Sequence, residues 1–371
     1  MTDILPPPGT PLEEIETPAL IVDLPVIERN LETMHAFFRD APAKVRSVTK
    51  GHKCPALAQK QMTVAGAVPF GLCCAKVSEA EVMAAAGARC IRMIEQVVGR
   101  AKVARLANLA RRSQVIALAD DPVHVDALAA AAQAFGVRLD VMIEVEIGLD
   151  RCGVAPGRPA LELARRILAA PGLRFAGIGA HEGTIAEADR ERRIARVKER
   201  VQRLLDTRED LERAGIEVEI CGAGSTTSWN IAGAMPGITE IDPGSYALMD
   251  SGLAESIPDL EFAPALAVLA TVVSRPTRDR AVIDCGHKAL GSSGDGKMPE
   301  VAGRQGVSVN RLNSEHGILD TADAIGLRIG ERVKLIPRYH GATVVCHDWF
   351  IGVRDGRVEC VWSIAARGSH Q

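Results

Sequence analysis

One lysine of the 371-residue chain directly follows a short apolar segment, in the stretch RSVTKGHKCP. Lys50 ends this segment, which has the length and composition of a buried β-strand. In a barrel of parallel strands, a lysine at this place points into the mouth. Burial there lowers the pKa of its amine and makes it a nucleophile toward an aldehyde. A solvent-exposed lysine in a turn is the alternative, and position alone favours it.

Two loops rich in glycine and hydroxyl groups favour the cofactor-binding interpretation of Lys50 over the solvent-exposed one. CGAGSTT (residues 221–227) and DPGSYALMD (residues 242–250) each lie just beyond a predicted strand. Barrels often bind phosphate in this region, through backbone N–H groups and helix N-termini. The residues expected to surround one phosphate are Gly222, Gly224, Ser225, Thr226, Gly244, Ser245 and Tyr246. Two such loops across a barrel from a lysine predict a phosphorylated aldehyde cofactor.

Two further segments carry groups that could act on a substrate. Arg151, in IEVEIGLDRCGV, could hold a substrate carboxylate or tune a cofactor ring. Its alternative role is an ion pair with an acidic residue of the same segment. His181, which opens HEGT, and Glu187 are candidate acid–base groups. A polar turn with satisfied hydrogen bonds is the alternative there.

The elements that must position these residues alternate between short apolar runs and amphipathic stretches. Eight strands are predicted, at residues 44–49, 68–73, 90–94, 114–119, 139–144, 175–180, 217–221 and 238–242. This alternation predicts an α/β fold, a (β/α)8 TIM-type barrel. A doubly wound open sheet would need a GxGxxG motif after the first strand, and the sequence has none there.

After residue 255 the pattern changes to β-like runs with little helix between them. Asp355-Gly356, between the last two runs, indicates a hairpin turn. We therefore predict a barrel domain over residues 25–255 and an all-β domain from residues 1–24 and 256–371.

Composition excludes several classes of function. The formal net charge is −3 and aromatic residues make up 3%, which argues against nucleic acid as a partner. No apolar run approaches the roughly 20 residues of a membrane helix. The acidic, proline-rich start does not resemble a signal peptide, so we expect a cytoplasmic protein. The nine cysteines form no CxxC motif, which argues against a zinc knuckle.

Several segments, taken in order, resemble the D-threonine aldolase/D-serine dehydratase family of alanine-racemase-like pyridoxal-phosphate enzymes. They are TPALIVD, RSVTKGHKCP, GAVPFGLCCAKVSEAEVM, IEVEIGLDRCGV, GIGAHEGT, CGAGST, PGSYALMD and HDWFIGVRDGRVECVWSIAARG. The resemblance implies pyridoxal 5′-phosphate (PLP) bound covalently to Lys50. It also implies a homodimer in which the C-terminal domain of the partner completes each active site. The implied substrates are small β-hydroxy amino acids, usually of D configuration.

The sequence departs from the family where a divalent metal is expected. The family's PGHCDPT reads PRYHGAT here, which places Tyr339 and Gly341 at the two ligand positions. Glycine offers no ligand atom, so a metal is uncertain. The remaining candidate ligands nearby are His340, His347 and Asp348.

A second departure concerns the catalytic base. The histidine usual in aldolases of the family is matched by Glu187, and the aromatic residue that opens the motif by His181. Because dehydration normally needs a metal to assist hydroxide departure, we favour retro-aldol cleavage to glycine and an aldehyde. A dehydratase and a racemase or epimerase of the same fold are the alternatives. A non-enzymatic PLP-binding protein is disfavoured because such a protein would lack the C-terminal domain.

Overall fold

The computed structural model describes residues 5–183, 185, 187–322 and 326–371, which form two compact units. The barrel unit comprises residues 34–50, 57–244 and 369–371, and the sheet unit comprises the described parts of residues 1–33, 51–56 and 245–368. The chain passes into the sheet unit at residue 245, earlier than the predicted boundary at 255. The predicted domain division itself stays a prediction.

The sheet unit contains nine strands. They are β1 (Ala19–Asp23), β10 (Leu266–Thr277), β11 (Arg280–Ile283), β12 (Glu300–Val301), β13 (Val307–Leu312), β14 (Gly317–Thr321), β15 (Arg332–Ile336), β16 (Trp349–Arg354) and β17 (Arg357–Ser363). The main order is β13-β14-β11-β10-β1-β16-β17, and β15 joins β10 to β12. Asp355 and Gly356 both have positive φ between β16 and β17, which confirms the predicted hairpin turn.

Eight parallel strands form the barrel unit. They are β2 (Lys44–Val45), β3 (Gly71–Cys74), β4 (Cys90–Gln96), β5 (Gln114–Ala119), β6 (Leu139–Glu144), β7 (Leu173–Gly179), β8 (Ile220–Gly222) and β9 (Glu240–Ile241). Their order is β2-β9-β8-β7-β6-β5-β4-β3, and a parallel bridge from Val48 to Cys73 joins the two ends. The predicted barrel and its all-β companion are therefore confirmed.

Helices connect the strands. They are α1 (Leu24–Phe38), α2 (Pro55–Thr63), α3 (Val77–Ala85), α4 (Arg100–Leu109), α5 (Pro122–Phe135), α6 (Arg158–Ala169), α7 (Arg190–Arg213), α8 (Trp229–Ala232), α9 (Ser251–Ser256), α10 (His287–Leu290) and α11 (His340–Val344). Local sequence fixes their ends: the Asp121 carboxylate accepts from the Val123 amide (2.8 Å), and Gly136 ends α5 in the left-handed region. No helix of the described chain is long and apolar enough to cross a bilayer.

The first predicted strand, residues 44–49, is shorter in the structure. The paired residues of β2 are Lys44 and Val45, and residues Thr49–Gly51 form a 3-10 turn. Backbone bonding continues past β2, because the Arg46 and Val48 amides donate to the Ile241 and Pro243 carbonyls (2.9 and 3.0 Å). Lys50 therefore lies on a turn beyond the strand rather than at its last position.

The barrel interior contains a buried set of four charges. Arg46 donates to both carboxylate oxygens of Glu240 (2.7 Å each), and Arg92 Nη1 donates to the same carboxylate (3.0 Å). Arg92 also pairs with Asp242. Burial alone would raise the pKa of Glu240, but the two arginines hold it below its usual range. These four residues are called the charge quartet below.

Removing one member of the charge quartet is expected to destabilise the fold strongly. In Glu240→Ala, both arginines lose their common partner while they stay buried, so the free energy of unfolding should fall by about 3–5 kcal/mol. Chemical denaturation measures this loss. The matched control is Glu162→Ala on α6, where an exposed pair with Arg158 is broken and the expected loss is below about 1 kcal/mol. Equal losses in the two variants would contradict the prediction.

Candidate active site

Lys50 lies on the 3-10 turn that follows β2, and its neighbour anchors that turn. The Thr49 hydroxyl lies within hydrogen-bonding distance of the Cys73 carbonyl (3.1 Å) and of the buried Glu79 carboxylate. Thr49 is buried, whereas Lys50 is exposed. The turn therefore presents the amine while its base is fixed in the barrel.

The surroundings of Lys50 lower the pKa of its amine. Although the side chain is exposed, loss of hydration beside the surrounding protein is the largest cause, and the positive charge of Arg151 acts in the same direction. Glu79 and Cys73 oppose the shift. A larger share of the amine is consequently unprotonated near neutral pH than for an ordinary lysine, which favours attack on an aldehyde.

Arg151 belongs to the same electrostatic environment. Its guanidinium lies 3.5 Å from the Glu144 carboxylate, at the end of β6, and its side chain is 48% exposed. Burial raises the pKa of Glu144, while hydrogen bonding from Gln96 (2.6 Å) and the charge of Arg151 oppose this shift. Arg151 therefore forms the ion pair that was the alternative to ligand binding. The Arg151 guanidinium is nevertheless exposed and accessible to an anionic ligand.

His181 follows β7 and is partly buried. Its pKa is lowered chiefly by burial and further by the charges of Lys50 and Arg151, while Glu182 opposes the shift. The ring is thus predominantly neutral at neutral pH and can accept a proton. The structure brings Lys50, Arg151 and His181 together, as the sequence analysis expected of an active site.

Glu187 lies in the loop between β7 and α7. It is partly buried, and its backbone carbonyl accepts a hydrogen bond from Arg193 Nη1 (2.7 Å). This bond ties Glu187 to the first turn of α7. Thr184, the last residue of the HEGT motif, lies outside the described residues. Glu187 stays a predicted acid–base residue.

The first glycine loop, residues 222–228, is held by its own hydroxyl groups. The Ser225 amide donates to Ser228 Oγ (2.9 Å), and the Ser225 and Thr227 hydroxyls are 3.0 Å apart. Gly224 has a φ of +100°, and a Cβ there would lie 3.1 Å from both Ala232 and Ile241. Only glycine fits that position, which explains the motif.

The other predicted phosphate contacts lie in two different units. A Cβ on Gly222 would lie 2.9 Å from the Arg92 guanidinium, and a Cβ on Gly244 would lie 3.3 Å from Val48, both within the barrel unit. Ser245 and Tyr246 begin the last segment of the sheet unit. There Tyr246 is fully buried, edge-on to Phe262 with ring centroids 5.9 Å apart. Thr226 is buried in the 222–228 loop.

The three candidate metal ligands are each engaged with another group. His340 Nδ1 lies 2.7 Å from the Asp250 carboxylate, His347 Nε2 donates to the Ala289 carbonyl (2.7 Å), and Asp348 pairs with Arg367 (2.5 Å). His340 also packs over the backbone of the residue after the lysine: a Cβ on Gly51 would lie 2.5 Å from its Nε2. The structure does not assemble these three residues into a site.

The two positions that match the family's metal ligands also do not form one. A Cβ on Gly341 would lie 2.8 Å from the Tyr339 hydroxyl, so the phenol fills the space that a side chain at 341 would need. The described part of the chain has one close group of potential ligands elsewhere, Asp120, Glu144 and Cys152, with ligand atoms within 4.8 Å. Gln96 already donates to both of these carboxylates, and we assign no ion there.

Two site residues were missed by the sequence analysis. Glu79 is buried in the first turn of α3 and touches Thr49. Glu182 is buried beside His181, and its carboxylate accepts hydrogen bonds from the 222–228 loop. The position of Glu182 inside HEGT, directly after His181, was the sequence signal that pointed to it.

With this geometry established, comparison with known proteins identifies the family. The model of the alanine racemase N-terminal domain matches residues 22–252, and that of a putative serine dehydratase domain matches residues 265–353. The chain belongs to the alanine racemase N-terminal domain family.

Full-length members of this group include enzymes of known activity. The chain is 34% identical to 3-hydroxy-D-aspartate aldolase of Paracoccus denitrificans (strain Pd 1222), over 99% of this chain and 96% of that one. It is 35% identical to D-threonine aldolase of an Arthrobacter species, over 98% and 97%. The crystal structure of D-threonine aldolase from Filomicrobium marinum superposes with a TM-score of 0.93 at 39% identity, covering 99% and 100%. These relatives confirm the predicted family and enzyme class.

In this alanine-racemase-like chain, the reactivity of Lys50 should depend on Arg151. Arg151→Gln removes a positive charge near the amine, so the pKa of Lys50 should rise toward the ordinary value of about 10.4. Labelling of the cofactor-free protein with trinitrobenzenesulfonate across pH, followed by peptide mapping, measures the effect. The Lys50 profile should move to higher pH in the variant, whereas labelling of exposed Lys102 on α4 serves as the internal control. An unmoved Lys50 profile would refute the assigned electrostatics.

Proposed function

We propose that this chain is a PLP-dependent aldolase that cleaves a β-hydroxy D-amino acid into glycine and an aldehyde. The observation that carries the proposal is the grouping of three side chains beyond the barrel strands. These are an amine of lowered pKa (Lys50), a neutral imidazole (His181) and an accessible cation (Arg151). The named substrates of the similar enzymes, 3-hydroxy-D-aspartate and D-threonine, supply the substrate class.

The residues present fit the cofactor. Lys50 would hold its aldehyde carbon, and the hydroxyl-rich 222–228 loop of the same barrel unit would receive its phosphate. Ser245 and Tyr246 stay predicted contacts. The Ser225 and Thr227 hydroxyls, 3.0 Å apart on this loop, are the kind of polar groups that a phosphate needs. When bound, PLP acts as an electron sink for the bond that breaks.

The protein's own groups then determine which bond breaks. His181, held neutral, would take the proton of the substrate hydroxyl, and release of that proton would accompany cleavage between the α- and β-carbons. Glu187 is the second candidate for this role. Arg151 would hold the substrate carboxylate or the cofactor ring through its exposed guanidinium.

Retro-aldol cleavage is favoured over dehydration for a reason local to the sheet unit. Loss of a β-hydroxyl as hydroxide benefits from a bound cation. Tyr339 and Gly341 supply no paired ligands, and Tyr339 fills the space over Gly341. We therefore propose that the reaction runs without a metal at this place. The homodimeric state and the cytoplasmic location stay predictions.

Product analysis tests the proposed reaction. Purified protein loaded with PLP should release glycine and acetaldehyde from D-threonine, or glycine and glyoxylate from 3-hydroxy-D-aspartate, with and without EDTA. Lys50→Ala should abolish both the activity and the visible absorbance of lysine-bound cofactor, whereas Lys53→Ala should retain the absorbance. Keto acids and ammonia as the products would identify a dehydratase, and enantiomer interconversion alone would identify a racemase.

A histidine variant separates the two candidate bases. His181→Asn should lower kcat by about 10²–10⁴-fold, the usual contribution of a positioned general base, while cofactor absorbance stays unchanged. Glu187→Gln is the matched comparison in the same loop. If Glu187→Gln shows the large loss and His181→Asn does not, the proton acceptor is Glu187 and the assignment of His181 is wrong.

A further inference from the structure

We propose that Glu182 is a positioning residue that holds the 222–228 loop in the shape that receives the cofactor phosphate. The inference rests on the proposed function, because it concerns binding of PLP. The hydrogen bonds that the Glu182 carboxylate accepts come from the 222–228 loop. Its action passes through the loop.

The hydrogen bonds of Glu182 span the loop. Oε2 accepts from the Gly224 amide (3.2 Å), and Oε1 accepts from the Ser228 hydroxyl. Ser228 Oγ in turn accepts from the Ser225 amide (2.9 Å). The Glu182 carboxylate thus connects Gly224, near the start of the loop, to Ser228, at its end. The conformation of the residues between them is restrained by these two bonds.

The side chain of Glu182 has no exposed surface. A buried carboxylate is tolerated only when hydrogen-bonded, so this arrangement is costly to break. A phosphate dianion and a carboxylate repel each other at short range in a medium of low dielectric constant. Glu182 would therefore act on the shape of the loop and not on the phosphate itself, and the Gly224 amide that it binds is not counted among the phosphate donors.

Glu182 also connects the loop to the predicted base. It follows His181 directly, and its backbone carbonyl accepts a hydrogen bond from Arg200 on α7. The side chain is bonded to the 222–228 loop and the main chain to a helix of 24 residues. Loss of the carboxylate is consequently expected to loosen the phosphate loop while α7 still retains the main chain beside His181.

Comparison of two ligands distinguishes this role from general stabilisation. Cofactor-free wild type, Glu182→Ala, Glu182→Gln and Ser228→Ala are titrated with PLP and with pyridoxal, which lacks the phosphate. Bound ligand is read from its visible absorbance, without turnover. Glu162→Gln, an exposed carboxylate on α6, is the matched control.

The expected result is a selective loss. Glu182→Ala should weaken PLP binding by about 10-fold or more, the effect of leaving buried donors unpaired, and change pyridoxal binding less than about 2-fold. Glu182→Gln and Ser228→Ala, each of which removes part of the bonding, should give intermediate losses for PLP alone. The control should match wild type.

Other results overturn the inference. Unchanged PLP binding in the variants, or equal losses for PLP and pyridoxal, would show that Glu182 does not act through the phosphate loop. If Glu182→Ala does not fold, Glu182→Gln and Ser228→Ala decide by the same criterion. A wild-type protein that binds neither ligand would instead refute the proposed function, and this inference with it.

Discussion

Compensation of buried charge is the constraint on which the barrel depends. The charge quartet fills part of an interior that apolar side chains usually occupy. Strand β9 has two residues, and Glu240 adds side-chain bonds from Arg46 and Arg92 to the backbone bonds that it shares with its neighbours. Gly222 rests against Arg92, which places the start of the 222–228 loop on the same network. The ion pairs of the charge quartet, inside the barrel, therefore help to fix the positions of β9 and of the start of the 222–228 loop at the barrel mouth.

The parts of the fold that sequence revealed are those with a local signature. The mainly apolar runs 114–119 and 139–144 match β5 and β6 residue for residue, because most positions of a strand buried on both faces are apolar. The polar exceptions are Gln114, Asp140 and Glu144. Lys50 and the glycine loops could be found because a lysine and two loops of glycine and hydroxyl residues each directly follow a predicted strand, which is an uncommon combination. The ordered resemblance over nearly the whole chain made the family clear.

The parts that sequence missed depend on partners far apart along the chain. Arg46 and Glu240 are separated by 194 positions, and the local sequence around either residue does not indicate that the two pair. Glu182 meets Ser228 across 46 positions for the same reason. The 3-10 turn at residues 49–51 was not predicted, because the contacts of the Thr49 hydroxyl with Cys73 and Glu79 are tertiary contacts. Apolar pattern alone could not show where the ladder ends.

The imidazole of His340 lies over Gly51, and Asp250 fixes its ring. This makes positions 51 and 340 an epistatic pair, although 289 residues separate them in the sequence. Even a methyl group at 51 requires a smaller side chain at 340, and a smaller side chain at 340 leaves the buried Asp250 without its imidazole. A substitution at the residue beside the lysine therefore has to be matched by a change at His340.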